Sequence, residues 1–289
     1  MAKSLGGTDV EISDLTEFVS ENISEKREVA KFYYYWISLN IEYDFEKKAK
    51  NRAARLNGEE ITDSVDPISI FKEKKAICLG FASLFKLFMD LSKIESEIVS
   101  GHVKSLENLT LELELDDNYR HAWNTIMIND AWVLVDTTWA QQFEEEISDY
   151  YFDTKPKRLI LSHYPEEGRW QLMFEPISIA NFNEQPYVHS FYFDTGFEDL
   201  PKLTNDNEYY YIEFPKNASN NWHTKLTYSS GGIENESISP EYQKKENSNV
   251  FKFKKKGLPK NSTLNVVVTY FDWDKQTRTE YNDIIKYQL

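Results

Sequence analysis

Cysteine is nearly absent from the chain, which has one in 289 residues, at Cys78. A single thiol cannot form an internal disulfide, so a disulfide scaffold is excluded and cysteine usage does not indicate a redox compartment. No C-x-x-C pair or cluster of Cys and His offers a zinc site, and the acidic runs ELDDN and EEEISD lack the ligand spacing of a calcium loop. We therefore expect no metal and no cofactor.

Long apolar runs and an excess of positive charge are missing too. No stretch approaches the roughly 18 apolar residues that a membrane span needs, so none is expected. The chain has 48 acidic and 33 basic residues, and its formal net charge of -15 argues against a nucleic-acid partner. The opening residues, MAKSLGGTDVEISD, contain no apolar signal core. A location outside the cytoplasm would require that a signal peptide had been removed, so localisation stays open, as does the oligomeric state.

The periodicity of apolar residues changes along the chain from helical to alternating. Helical spacing from Asp14 to about Asn51 predicts two helices, and the same spacing from Cys78 to Leu91 predicts another, buried one. The segments SEIVSGHV, LTLELELDD, HAWNTIMIND and AWVLVDTTW then alternate or are rich in β-branched and aromatic residues, which is typical of strands. Helices followed by an antiparallel sheet define an α+β fold.

The length and a change in composition predict two domains. A chain of 289 residues exceeds the usual size of one domain, and GFEDLPKLTNDNE has the composition of a connector. After it, short segments rich in Tyr, Phe, Val and Thr are separated by Asn, Gly, Ser and Pro, which predicts an all-β sandwich. We expect domains at residues 1–196 and 197–289. The sequence does not choose whether the second domain recognises substrate, attaches to a surface or stabilises the fold.

Cys78 lies where the buried helix is predicted to begin. It is either a small buried hydrophobe, since free Cys is among the most buried residue types, or a nucleophile whose pKa the helix N-terminus lowers. A thiol nucleophile also needs a base and a third group that orients the base. Asn129-Asp130 is typical of a hairpin tip, and the strands that it joins begin at His121 and end at Asp136. The hairpin therefore predicts a His–Asp dyad.

Several motifs resemble a known family. AICLGFASLF, HAWNTIMINDAWVLVDTTW and YYFDTKPKRLILSHYPEEGRWQL are similar to the transglutaminase-like superfamily, and more narrowly to the branch named after the kyphoscoliosis peptidase. The resemblance covers roughly residues 27–183. It implies a papain-like fold in which Cys78 is the nucleophile, His121 the base and Asp136 the orienting acid.

The resemblance also implies roles for residues around this triad. Tyr43, in NIEYD, matches an aromatic position that can supply a second oxyanion donor, although a core tyrosine with its hydroxyl at the surface is the alternative. Trp123 and Trp139 are expected to form packing walls. His102 is a candidate cleft residue, or else a half-exposed strand end. His163 is interpreted as structural.

The reaction that these motifs imply is acyl transfer on protein or peptide amides through a thioester. Water as the acceptor gives a peptidase or amidase, and a lysine amine gives a transglutaminase; the motifs serve both, and the branch resembled favours hydrolysis. Ala76 replaces the family's glycine two residues before the cysteine, and Thr137 replaces its proline after the aspartate. A non-catalytic protein-interaction scaffold is the alternative from another class, since Ala76 or a covered cleft could disable the site.

Overall fold

The computed structural model of the chain describes residues 10–59, 65–106, 109, 119–141, 147–194, 196–216, 222–231 and 233–289. The chain folds as two units, one formed by residues 1–103 with 111–179 and the other by residues 104–110 with 180–289. The first unit combines helices with one sheet, and the second is mostly β. The domain boundary after residue 196 stays a prediction.

Helices open the first unit, as the apolar spacing predicts. They are α1 (Ile12–Asn22), α2 (Lys26–Asn40), α3 (Phe45–Leu56), α4 (Pro67–Glu73), α5 (Cys78–Leu91) and α6 (Pro156–Leu159). Three helices replace the two predicted up to Asn51, because a short strand, β1 (Glu42–Tyr43), separates α2 from α3. It pairs in parallel with β2 (Lys75–Ala76). None of the helices in the described part of the chain is both long and apolar enough to cross a membrane.

A five-stranded antiparallel sheet follows the helices. Its strands are β3 (Ser96–Val103), β4 (Arg120–Ile128), β5 (Ala131–Val135), β6 (Phe152–Thr154) and β7 (His163–Pro165), in the order β6-β5-β4-β3-β7. Asn129 and Asp130 both have positive φ, as a type I′ turn requires, and Ile128 pairs with Ala131. The predicted hairpin is confirmed. The predicted strand LTLELELDD lies, apart from Leu109, outside the described residues.

Helix α5 is the centre of the core of this unit. It packs on β3 and β4. Of its predicted buried stripe, Phe81, Leu84, Phe85 and Phe88 are fully buried, but Leu91, the last residue of the helix, is 50% exposed, so the prediction is wrong there. Tyr33 of α2 stacks on Phe88 with 4.4 Å between ring centroids. Full burial of each such side chain contributes roughly 1.5–3 kcal/mol to folding. This packing holds α5, and with it Cys78 at its first position, in a fixed place.

Two antiparallel sheets form most of the second unit. Their strands are β8 (Tyr187–Val188), β9 (Lys202–Asn205), β10 (Tyr209–Pro215), β11 (Trp222–Ser230), β12 (Ile233–Ser237), β13 (Glu241–Lys244), β14 (Ser248–Lys254), β15 (Thr263–Asp272) and β16 (Thr277–Gln288). The sheet orders are β13-β14-β10-β9 and β12-β11-β15-β16-β8. Phe214 of the first sheet and Trp222 of the second lie 6.2 Å apart between ring centroids. The all-β character predicted for this region is confirmed.

A buried lysine ties the segment 104–110 into the second unit. Nζ of Lys104 donates hydrogen bonds to the backbone oxygens of Phe182 and Gln185, both at 2.6 Å. These oxygens lie at the end of α7 (Ile179–Glu184), where helical carbonyls have no intrahelical donor. Burial lowers the pKa of Lys104 to about 7. The lysine therefore caps the helix from a distant part of the chain. A further short helix, α8 (Phe191–Asp194), follows β8.

Candidate active site

Helix α5 begins at the thiol. Ile77, which precedes Cys78, is extended at φ -91° and ψ 175°, and the helix starts with Cys78 itself. The N–H groups of a first helical turn have no intrahelical acceptor, so Cys78 lies at the positive end of the helix dipole. The absence of a side chain at Gly80 lets this first turn pack closely against Ala76 and Ile70. A Cβ added there would lie 2.7 Å from Cβ of Ala76 and 2.9 Å from Cδ1 of Ile70.

His121 and Asp136 meet as the hairpin predicts. Nε2 of His121 lies 2.7 Å from Oδ2 of Asp136, and both side chains are buried. Oδ1 of Asp136 accepts the backbone N–H groups of Thr138 and Trp139 at 2.8 and 2.9 Å. Because those donors belong to the turn that directly follows β5, local backbone structure fixes the orientation of the carboxylate.

Cys78 and His121 each shift the pKa of the other. Burial acts to raise the pKa of the Cys78 thiol, but the hydrogen bond and charge of His121 and the N–H of Ala122 outweigh it, and the pKa is lowered. Burial acts to lower the pKa of His121, while Asp136 and Cys78 raise it to about 10. Since Nε2 of His121 is held by Asp136, Nδ1 is the nitrogen left for the thiol. Both directions favour the thiolate–imidazolium pair over the neutral pair.

A second histidine binds the same carboxylate oxygen. Nε2 of His163 lies 3.0 Å from Oδ2 of Asp136, and its Nδ1 lies 2.8 Å from Oγ of Ser162. Burial lowers the pKa of His163, against the opposing effect of Asp136. A neutral His163 that donates through Nε2 accepts the Ser162 hydroxyl at Nδ1. The sequence predicted a structural role for His163 but not this bond to Asp136.

Asp136 therefore receives four hydrogen bonds, two at each oxygen. Burial acts to raise its pKa, but the charge and hydrogen bonds of the two histidines lower it well below its usual value.

Among the described residues, His121, Asp136 and His163 have ligand atoms within 4.8 Å of one another, close enough to hold a metal ion. An ion there would displace the bonds of His121 and His163 to Oδ2, which are 2.7 and 3.0 Å long.

Tyr43 lies at the edge of this site. The pairing of β1 with β2 puts it opposite Ala76, two residues before Cys78. Burial raises the pKa of Tyr43 above its usual value, and the negative charges of Cys78 and Asp136 raise it further. The phenol thus keeps its proton and remains a hydrogen-bond donor over the whole range in which the thiolate forms.

Two tryptophans surround the histidine rings. The ring of Trp123 stacks 6.0 Å from that of His121, and the ring of Trp139 lies 4.5 Å from His163 and 5.8 Å from His121. Gly101 leaves room for the indole, because a Cβ there would lie 2.5 Å from Cη2 of Trp123. Both indole rings therefore lie beside His121 or His163. Their role as packing walls of the site stays a prediction.

The structure does not bring His102 to the dyad. In the register of β3 and β4, Gly101 is opposite His121, and His102 is opposite Arg120. Successive side chains in a strand point to opposite faces of the sheet. His102 therefore projects from the face away from His121, and its role in a cleft stays a prediction.

The two departures from the family pattern fit their surroundings. Ala76 is buried, and the missing side chain of Gly80 leaves space for its methyl group. Thr137 is buried too, and its backbone oxygen accepts the hydroxyl of Ser38 in α2 at 3.0 Å. Neither substitution removes a group that bonds to Cys78, His121 or Asp136.

Comparison with known proteins identifies the class of this domain. Residues 13–137 match the model of the transglutaminase-like superfamily. The chain therefore contains a transglutaminase-like domain, and the matched residues include Cys78, His121 and Asp136.

Individual proteins are also similar to this chain. The chain is 29% identical to the kyphoscoliosis peptidase of Mus musculus over 196 residues, which are 64% of this chain and 28% of that protein. It is 28% identical to the kyphoscoliosis peptidase of Homo sapiens over 198 residues, 66% of this chain and 28% of that protein. Hillarin of Drosophila melanogaster is 24% identical over 148 residues, 45% of this chain and 18% of that protein. The chain thus spans under a third of the length of these relatives. No solved structure gives a significant match.

Proposed function

We propose that the protein hydrolyses amide bonds of proteins or peptides through a thioester on Cys78. His121 acts as base and acid, and Asp136 orients it. The observation that supports this assignment is the position of His121, whose Nε2 bonds to Asp136 at 2.7 Å and whose pKa is raised by both Asp136 and Cys78. A base held between a thiol and a buried carboxylate is the arrangement that activates a cysteine nucleophile.

The proposed reaction has two stages. The Cys78 thiolate attacks the carbonyl carbon, and the resulting oxyanion accepts hydrogen bonds from the Cys78 backbone N–H and the Tyr43 hydroxyl. The imidazolium of His121 gives its proton to the leaving amine, so the C–N bond breaks and a thioester remains. Neutral His121 then takes a proton from water, which attacks the thioester and releases the acid and the thiolate.

Hydrolysis is preferred to transamidation on one ground: two of the similar proteins are named peptidases. An amine in place of water would give an amide product by the same chemistry. Incubation of the protein with a labelled peptide, with and without a primary amine, separates the two outcomes. Free acid as the product supports hydrolysis, amine-linked peptide supports transamidation, and no product with intact Cys78 reactivity favours the scaffold alternative.

The test of the site itself is the rate at which iodoacetamide alkylates native Cys78 between about pH 4 and about pH 10. The rate should reach half its maximum well below pH 9.0, the ordinary value for a thiol, since His121 lowers the pKa of Cys78. In His121→Ala the midpoint should move upward by at least about one pH unit, because the imidazolium that stabilises the thiolate is gone.

His223→Ala is the matched control, because His223 is an exposed histidine outside the site. It should leave the alkylation profile unchanged. A wild-type thiol that titrates near pH 9.0 and does not respond to His121→Ala contradicts the proposed function.

A further inference from the structure

The apolar side of α3 faces solvent. Phe45 is 73% exposed and Leu56 is 75% exposed, and Ala49 and Ala53 between them are exposed as well. Their spacing of i, i+4, i+8 and i+11 puts them on one stripe of the helix. The buried residue of α3 is Asn51, which lies on the opposite side. A surface helix normally has the reverse arrangement, with the apolar stripe against the core.

Basic residues flank this apolar stripe. Lys48, Lys50 and Arg52 are exposed beside it, and Glu46 is the single acidic residue of the helix. The chain as a whole has a net charge of -15. Helix α3 is therefore a local basic surface on an acidic protein, and it is complementary in charge to an acidic partner.

The helix starts at the edge of the candidate active site. The N–H of Asp44, its N-cap, donates to the backbone oxygen of Ala76 at 2.9 Å, and Ala76 lies two residues before Cys78. The ring of Phe45 lies 4.9 Å from that of Tyr43, and Nζ of Lys48 lies 5.8 Å from the Tyr43 ring. A polypeptide bound along α3 would thus extend to the thiol.

We propose that α3 is the docking surface for the polypeptide substrate, and that the substrate segment carries apolar side chains among acidic ones. This inference rests on the proposed function, because it names the substrate class of the same site. The apolar stripe is covered by apolar side chains of the substrate, which removes both from water. Aspartate and glutamate side chains of the substrate lie against Lys48, Lys50 and Arg52. An anionic membrane is the weaker candidate, since the stripe has only two large apolar residues and interfacial helices bind through their buried apolar area.

The test uses two short fluorescein-labelled peptides, one of Leu and Glu and its match of Leu and Gln, with Cys78→Ser protein to prevent turnover. Fluorescence anisotropy should show binding of the Leu/Glu peptide, and binding of the Leu/Gln peptide about tenfold weaker, because the charge pairs are lost. Phe45→Ser with Leu56→Ser, and Lys48→Gln with Lys50→Gln and Arg52→Gln, should each weaken binding of the Leu/Glu peptide about tenfold.

Exposed residues elsewhere on the first unit give the matched controls. Phe174→Ser replaces a side chain that is 99% exposed, and Lys26→Gln with Lys157→Gln removes exposed charges outside α3. Both controls should keep the wild-type affinity. Equal weakening by the control variants, or unchanged affinity in the α3 variants, overturns the proposal. Binding to phosphatidylserine vesicles that depends on α3, without binding of the Leu/Glu peptide, also overturns it.

The alkylation of wild-type Cys78 keeps the two proposals apart. An activated thiol together with peptide binding that ignores α3 removes the docking surface and leaves the enzyme. An ordinary thiol together with peptide binding that requires α3 removes the enzyme and leaves a docking helix for acidic polypeptides.

Discussion

Asp136 is held by two histidines of opposite character. The pKa of His121 is raised to about 10 and that of His163 is lowered, although both bond to Oδ2 of the same carboxylate. For His121, the effects of Asp136 and Cys78 outweigh burial and raise the pKa. For His163, burial and the positive charge of His121 outweigh the effect of Asp136 and lower the pKa. His163 therefore serves as a neutral donor that positions the acid.

Replacement of His163 should slow the reaction without removing the triad. In His163→Phe the bond to Oδ2 is lost while the packing against Trp139 is kept, and Asp136 is less well oriented. We expect kcat to fall by about tenfold, as for the loss of a residue that orients a catalytic group. His163→Gln, whose amide can donate to Oδ2, should recover most of the rate.

The alkylation profile of Cys78 distinguishes this role from a structural one. His163→Phe should shift the profile, and His163→Gln should return it toward that of the wild type. Equal loss of folded protein and of activity in both variants would contradict a positioning role.

The sequence predicted the dyad because it is local. His121 and Asp136 belong to one hairpin, whose turn residues define the register. The bond between His163 and Asp136 depends instead on the pairing of β7 with β3, where His163 lies opposite Val103. That pairing joins segments far apart in the chain, and spacing carries no information about it. The spacing of residues also cannot predict whether Cys78 faces His121, and that expectation rests on the family resemblance alone.

At the scale of elements, the active-site end of α5 depends on a close approach to β2. The approach is possible because Gly80 has no side chain to meet the methyl group of Ala76. The family glycine is thus absent at residue 76, but a glycine two residues after the cysteine gives the space that the methyl group needs.

Gly80→Ala should move the start of α5 and lower both stability and the reactivity of Cys78. The new Cβ would lie 2.7 Å from Cβ of Ala76, which is attached directly to the backbone and cannot turn away. We expect a loss of about 1–3 kcal/mol in the free energy of unfolding, measured by urea denaturation. Adding Ala76→Gly should restore much of the loss, because Cδ1 of Ile70 can shift as the end of a flexible side chain.

A double-mutant cycle tests that contact directly. Additive effects of Gly80→Ala and Ala76→Gly would show that the two positions do not meet, against the geometry described above.

The apolar spacing of a helix predicts that the helix forms, but not which neighbour its apolar side contacts. The apolar spacing correctly predicted α5, whose stripe is buried up to Phe88 and exposed at Leu91. The same kind of spacing over residues 45–56 also marks an amphipathic helix, but it cannot say whether the stripe faces the core or solvent. In α3 it faces solvent, since Asn51 occupies the buried side.

At the scale of the whole molecule, the shifted pKa values of His121 and Cys78 affect the pH dependence of folding. The pKa of His121 rises from 6.5 to about 10, so its contribution is complete below pH 6.5 and is lost as pH rises through about 10. The pKa of Cys78 falls from 9.0, so its contribution is complete above pH 9.0 and is lost as pH falls through the lowered value. Where the two pH ranges overlap, the two changes oppose each other, because the contribution of His121 falls as that of Cys78 rises.

The melting temperature should therefore change little where the two ranges overlap below pH 9.0, and it should decline above pH 9.0, where only the change at His121 remains. The buried His163 gives a decline on the acid side, because its pKa is lowered and the stability present above pH 6.5 is lost as pH falls. In Cys78→Ala nothing opposes the change at His121. The melting temperature should therefore begin to decline as soon as pH rises above about 6.5. Differential scanning fluorimetry of both proteins checks this, and parallel curves for the two would contradict it.

The bonds of Lys104 have a consequence for how this chain can be rearranged. The chain leaves the first unit after residue 103, returns after residue 110 and leaves it again after residue 179. Because Lys104 caps α7, the second unit is assembled from two separate stretches of chain. A single junction cannot transfer it intact to another protein. An exchange that moves this unit to another protein must therefore carry both stretches, residues 104–110 and 180–289.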